Sequence, residues 1–477
     1  MRFSAVIAAS LAFAGFGAAQ ADNVSISPES RKALSLAVYN GGGLVRDTRT
    51  VSVSAGRSTL SFVDVSAEIN AETALLKDAP FDILEQNFDF DLLTPAKLLE
   101  KSVGRSVRLH SIGANGQETV QDATILGVND GVVLKAGDHI EAMSGISDAS
   151  RRITFDSLPT NLRSRPTLSM VIDANAPVSR DLMLTYLTAG LDWKADYVAT
   201  LAPDDKSLSL QGWITITNTS GSPYENAQVQ VIAGEVSLDV RRSRGAGGRQ
   251  LEAIVVSARK AETAEDDFFA YHLYTLPGPV TLAEGQTKQI ALLEAPHIAV
   301  RPVLESRGED YWYTSRVGEL RARPVAVFIK FDNREQDGLG KPLPAGSIRV
   351  YKDDSRGQTQ LVGQDDIRST PRNEQVSLDI GGAFDVTVAH KQTDYKQSLK
   401  RDDEDTEATS SWEVTVKNAK KEPVDVRVVE NMDGDWTITA ESLPHRKESA
   451  TEAVWTVHVP AGGQTTFSYT VRMRAAE

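Results

Sequence analysis

Two stretches far apart in the chain carry one strand-turn-strand pattern: Ile214-Thr215-Ile216-Thr217-Asn218 followed by Pro223, and Val414-Thr415-Val416-Lys417-Asn418 followed by Pro423. In each, β-branched residues alternate into a core and Asn ends the strand where a side-chain turn bond is tolerated. Pro then stops the ladder before a valine-rich return strand. The return strands place Ala227, Val229 and Val231 on one face in the first copy, and Val424, Val426 and Val428 in the second. Both copies read as β-sandwich hairpins. They differ in one residue: Trp412 shares the phase of Val414 and Val416, whereas Trp213 is one step out of phase with Ile214 and Ile216. Trp213 therefore needs a second covering layer or stands exposed on the outer face, and it is a candidate contact residue.

Strand patterning runs along most of the chain. Val51 and Val53 alternate before Leu60, Phe62 and Val63, and Leu182, Leu184 and Tyr186 lead into Trp193, Ala195, Tyr197, Ala199 and Leu201. Near the end, Trp455, Val457 and Val459 precede Phe467, Tyr469, Val471 and Met473. Such period-two runs, bounded by Gly and Pro turns, predict half-buried strands. Between Leu92 and Lys101 one short helix is expected, with Thr94 as N-cap and Pro95 at the first helical position. Turn residues from Gly113 to Gly137, with Asn115-Gly116 the strongest hairpin signal, predict a small inserted barrel within about 92–143.

The expected fold class is mainly β: several antiparallel, immunoglobulin-like β-sandwich domains with a small inserted β-barrel and one or two short helices. The expected divisions are a signal peptide at 1–21, an N-terminal β domain at 22–160, a first sandwich at 161–300 and a C-terminal sandwich at 301–477. Within the first sandwich, residues 241–267 read as a solvated linker, basic at Arg241, Arg242, Arg244 and Arg249 and acidic at Glu262, Glu265, Asp266 and Asp267.

The N-terminus carries Arg2, an apolar run from Ala5 to Phe16 and Ala19-Gln20-Ala21, the order of a secretory signal with its cleavage site. A periplasmic or secreted location is therefore expected after cleavage near Ala21. No stretch approaches the roughly 20 apolar residues that a membrane span needs. The chain has no cysteine, so neither disulfides nor thiolate chemistry are available. With 51 basic and 65 acidic residues the formal charge is −14, which argues against a nucleic-acid partner, since phosphate binding needs clustered cations.

At Leu184-Thr185-Tyr186-Leu187-Thr188-Ala189-Gly190-Leu191-Asp192-Trp193-Lys194-Ala195-Asp196-Tyr197, at Val231-Ile232-Ala233-Gly234-Glu235 and at Ala383-Phe384-Asp385-Val386-Thr387-Val388, the sequence resembles the bacterial domain-of-unknown-function family found in mucoidy inhibitor A. Ala37-Val38-Tyr39-Asn40-Gly41-Gly42-Gly43-Leu44-Val45, with Ala55-Gly56 after it, is similar to that family's N-terminal β domain. The resemblance implies an exported β protein without assigned chemistry, and it supplies no catalytic or binding residues. Proteins of that kind place a long coiled coil between their two β regions. Here the interval reads as helix plus barrel, so no role of a coiled coil carries over.

No catalytic motif stands out. The seven histidines show neither H-E-x-x-H nor H-x-H spacing, and they read as exposed or singly bonded strand residues. Ser257-Ala258-Arg259-Lys260 matches S-x-x-K, but in the linker it lacks the rigid setting a nucleophile needs. The same linker holds Glu252-Ala253-Ile254-Val255-Val256-Ser257-Ala258-Arg259-Lys260, which looks like the energy-coupling box of outer-membrane receptors and reads better as a strand that pairs on docking. Acidic clusters at Asp402, Asp403, Glu404 and Asp405 and at Asp433 and Asp435 lack the ligand spacing of a calcium loop, so they read as solvated charge. No metal and no cofactor is expected.

The remaining candidates are aromatic. In Tyr311-Trp312-Tyr313 strand alternation would send the two tyrosines to one face and the tryptophan to the other, where flat rings can stack on sugars or anchor a protein. The sequence is thus read as a non-catalytic envelope protein binding a glycan or protein partner through Tyr311, Trp312, Tyr313 and Trp213. The alternative is a periplasmic hydrolase of surface polysaccharide, using a carboxylate pair about 5 to 9.5 Å apart from separate strands. A third reading is an assembly accessory that docks through the linker.

Overall fold

The computed structural model describes residues 22–89, 93–113, 115–147, 150–159, 162, 164–234, 236, 253–255, 264–268, 271–399 and 406–474. The expected signal segment, most of the linker including Ser257–Lys260, and the acidic run at 402–405 lie outside them. The fold is mainly β, in sheets of four, five, eight, six and nine strands.

One continuous apolar core unites the N-terminal strands with the first sandwich. It takes Leu36, Val45 and Phe62 from the N-terminal region, and Met170, Tyr197, Ile214 and Val231 from the strands that follow. It also takes Ile329, Ile348, Val350, Val376 and Leu378, so it draws on residues from both sides of 300/301. A second core lies within the curled nine-stranded sheet, whose two wings face each other. Trp455 on the Glu452–Val459 strand stacks on Tyr469 of Gln464–Arg474 at a centroid distance of 4.6 Å. Large apolar side chains from both wings, including Trp412, Val414, Val426, Val428 and Val457, fill the space between them.

The repeated Asn turns are not hairpins. Ser207–Asn218 pairs within the six-stranded sheet, while its return strand Tyr224–Ala233 joins the eight-stranded one. Likewise Thr406–Asn418 lies in one wing of the nine-stranded sheet and Val424–Asn431 in the other. Each turn is therefore an arch that carries the chain from one layer to the facing one. The Asn side chain holds it: Asn218 Nδ2 donates to the carbonyls of Ser222, Leu282 and Ala283, and Asn418 Nδ2 to those of Glu422, Val459 and Pro460. Backbone carbonyls that leave a ladder at a layer crossing still need a donor, and the amide supplies it.

A third arch follows the same design. Asn333, after the Arg323–Asp332 strand, donates to Lys341, Thr370 and Pro371 before the chain enters Gly346–Asp353 of the six-stranded sheet. Its loop is longer, with a one-turn helix at Glu335–Asp337, which hides the likeness in the sequence. Arches also explain the parallel pairs that interrupt an otherwise antiparallel fold, such as Leu191–Leu201 beside Gly346–Asp353 and Arg301–Arg307 beside Val424–Asn431.

The insertion is an open sheet rather than the expected barrel. Its strands Ser106–Ile112, Glu118–Val128, Val132–Ala136, His139–Met143 and Arg151–Thr154 surround Leu109, Ile125, Leu134 and Met143, and the helix Pro95–Glu100 adds Leu99. The outer strands His139–Met143 and Arg151–Thr154 share no ladder. Arg151 reaches Glu141 at 3.3 Å instead, so a side chain spans the gap that a barrel would close with backbone bonds. Thr94 caps the helix as expected, its hydroxyl accepting from Lys97 N. Within the stretch read as a solvated linker, Ala253–Val255 pairs with Gln286–Ala299 and Ala264–Phe268 with Tyr271–Thr275, so both pairings are internal to the chain.

Candidate functional site in the groove between the two cores

The Gln375–Leu399 strand runs from the first core into the second. Where it passes between them its pairing with Arg323–Asp332 breaks. Gly382 stands opposite Ala326 and Thr387 opposite Pro324, so Ala383, Phe384, Asp385 and Val386 face Val325 alone. Gly381, at φ 111°, supplies a backbone angle that side chains with a Cβ rarely adopt. A bulge of this size turns side chains away from the alternation of the strand. Phe384 emerges 95% exposed, the most exposed large apolar side chain among the described residues.

Beside it lies a groove of about 720 Å³. Half-buried side chains from both cores line its floor: Leu304 and Val327, which are cross-strand neighbours, with Val424 and Ile380. Val362, from the edge strand Thr359–Ile367, adds to one wall. Carboxylates stand around the rim, with Asp204 and Asp205 in the turn before Ser207–Asn218, Asp385 on the bulge, Glu422 in the Asn418 arch and Asp425 at the start of the Val424–Asn431 strand that follows it. Lys352 pairs with Asp205 at 2.5 Å, and Lys420 lies 4.0 Å from Glu422. An apolar floor with a polar rim is the usual anatomy of a binding surface.

The structure distributes the aromatic candidates differently from the strand expectation. Asp310–Tyr313 is a one-turn 3₁₀ helix, so neighbouring side chains can point the same way. Trp312 and Tyr313 both enter the second core and are 2% and 0% exposed, while Tyr311 stays half exposed on the surface. Trp312 stacks on Trp412 at 5.8 Å. Trp213 does lie opposite to Ile214 and Ile216, half-buried between its cross-strand neighbours Asp196 and Ala291. The structure does not bring it together with Trp312 and Tyr313, which belong to the other core, or with Tyr311 on the surface beside them.

The buried aromatic turn also closes a polar cluster. Glu430, fully buried, accepts from the Tyr313 hydroxyl at 2.5 Å and lies 2.8 Å from His390 Nε2, while the hydroxyls of Tyr313 and Tyr469 are 2.8 Å apart. Burial pushes both tyrosine hydroxyls well above the usual range, and the Glu430 carboxylate adds to the rise. Each member has its partners inside the core, so the cluster serves architecture. It also explains why Tyr313 is inside: its ring fills the core and its oxygen answers a carboxylate.

Comparison with known families then places these features. The domain-of-unknown-function family DUF4139 matches residues 182–477. The chain belongs to the DUF4139 family. The DUF4139 region contains all three Asn arches and every residue lining the groove, from Leu201 to Asp425. No curated protein matches the chain.

Phe384 escaped sequence reasoning although it stands in a segment that carries the family resemblance. It shares the parity of Val386 and Val388, which are buried, so alternation predicts it inside with them. The available signal was Gly381-Gly382 just ahead of it, since paired glycines within a strand pattern mark a bulge.

Proposed function

We propose that this DUF4139 protein is an exported, non-catalytic protein of the cell envelope, and that it binds a polypeptide partner in the groove between its two cores. The observation that carries the reading is Phe384. An aromatic ring held almost wholly in solvent by a bulge, beside a half-buried apolar floor, gains about 1.5 to 3 kcal/mol when a partner covers it. A ring that protrudes calls for a partner with a pocket of its own, and proteins supply such pockets. The order of charge, apolar run and Ala-Gln-Ala at 1–21 supports export, and the resemblance to mucoidy inhibitor A supports a bacterial envelope setting.

The test combines location with binding. Cell fractionation of the full chain and of a chain lacking 1–21 should place only the former outside the cytoplasm. Wild type and Phe384→Ala are then compared on peptide arrays and glycan arrays. Peptide binding lost in the variant supports the reading, and Phe384-dependent glycan binding without peptide binding replaces the polypeptide by a sugar. Release of sugars from surface polysaccharide by the purified protein would overturn the non-catalytic role and favour the hydrolase.

A further inference from the structure

We infer that the groove selects a basic segment, one in which an apolar residue that covers Phe384 is flanked by lysine or arginine. The inference rests on the groove being the binding surface and adds the chemistry of its occupant. Five carboxylates, from Asp204, Asp205, Asp385, Glu422 and Asp425, line the groove against two ammonium groups, from Lys352 and Lys420. Both lysines already face carboxylates of the rim, Asp205 and Glu422. Asp425 in turn meets His458 Nδ1 at 2.8 Å. Among the described residues no side-chain cation pairs with Asp204, whose Oδ1 accepts from Lys206 N, or with Asp385, so both keep charge for an incoming cation, one in the turn after Leu191–Leu201 and one adjoining Phe384 in the chain. Negative charge thus comes from the sandwich turn, the bulge and the arch, around an apolar floor.

This arrangement fixes both parts of the partner. The floor and Phe384 reward apolar contact, while the rim rewards cations and penalises like charge. The rim pairs are open to water, so the electrostatic part weakens as salt screens it. An acidic or neutral segment would keep the first gain and forfeit the second.

The experiment is selection of a random dodecapeptide display library on the full chain at low salt, with counter-selection on Phe384→Ala. Clones that need Phe384 should carry Lys or Arg around an apolar residue. A synthetic peptide from the leading clone should lose affinity on the order of tenfold in the Asp204→Asn/Asp385→Asn double variant. It should also weaken as salt rises from low to high concentration. Phe384-dependent clones with neutral or acidic flanks, or salt-independent binding, would overturn the basic selectivity and leave the groove intact. Absence of any Phe384-dependent clone would overturn the groove reading together with this one.

Discussion

Gly308 and Glu430 occupy adjoining space with nothing to spare: a Cβ on Gly308 would stand 1.9 Å from Glu430 Oε2. The carboxylate cannot swing aside, because Tyr313 and His390 hold it from within the core. Glycine is needed here for want of a side chain, beside the Glu430 whose acceptors organise the aromatic turn. Gly308→Ala is expected to cost about 2 to 3 kcal/mol, as overpacking of a fixed site does. A denaturant midpoint equal to that of wild type would show that Glu430 has room to move.

The three Asn arches should be separately important for stability. Alanine at Asn218, Asn333 or Asn418 leaves carbonyls at a layer crossing without their donor, at a cost of at least about 2 kcal/mol. Urea unfolding of the three single variants measures it, with Lys421→Ala on the exposed Asn418 arch as the control. Equal midpoints for an arch variant and the control would make that Asn dispensable.

Buried tyrosines set the alkaline limit. Burial raises the hydroxyls of Tyr186, Tyr197, Tyr313 and Tyr469 well above the usual value. A raised folded value means that stability is full below the unfolded tyrosine value, about 10, and falls as pH rises through the folded one. Ultraviolet titration should therefore show these tyrosines ionising together with unfolding above about pH 10. Free, reversible titration of all tyrosines in the folded protein would contradict the burial.

Asp47 sets the corresponding term on the acid side. Burial works to raise its carboxyl, but hydrogen bonds from Arg31 and Arg49 outweigh burial and hold it low. Its contribution is present above the unfolded carboxylate value, about 3.9, and is lost as pH falls through the folded one. Arg49, fully buried, also donates to the carbonyls of Ile26 and Val63, tying strands of two sheets together. Asp47→Asn should lower stability at neutral pH and flatten its decline in acid. An unchanged acid profile in thermal melts at stepped pH would count against the pairing.

Phe384→Ala should leave folding alone. The ring is almost wholly exposed, so its removal should shift stability by no more than about 0.5 kcal/mol. Phe62→Ala, in the first core, should cost about 3 to 5 kcal/mol. A large loss of stability on truncating Phe384 would make the ring structural and remove its standing as an anchor.

How far these features could be read from the sequence depends on range. The strands around Trp193, Val414 and Phe467 followed from alternation, and the Thr94 cap from its own neighbours, because both signals are local. The arches at Asn218 and Asn418 were visible as turns but not as layer crossings, since a strand's sequence does not say which strand it will pair with. Tyr311-Trp312-Tyr313 obeyed turn geometry once Trp412 and Glu430 offered places for two adjacent rings. Phe384 was hidden by a bulge that shifts its parity, and a bulge is a property of two strands together. The site is therefore the least legible part of the chain.

The Gln375–Leu399 strand gives Val376 and Leu378 to one core and Val386 and Val388 to the other. That backbone passes through both, as does its neighbour Arg323–Asp332, and the ladder between the two strands is interrupted where Ala383, Phe384, Asp385 and Val386 stand against Val325 and again between Ala326 and Phe328. Two paired strands thus join the cores, and a partner that covered Phe384 would also cover the junction where their ladder breaks.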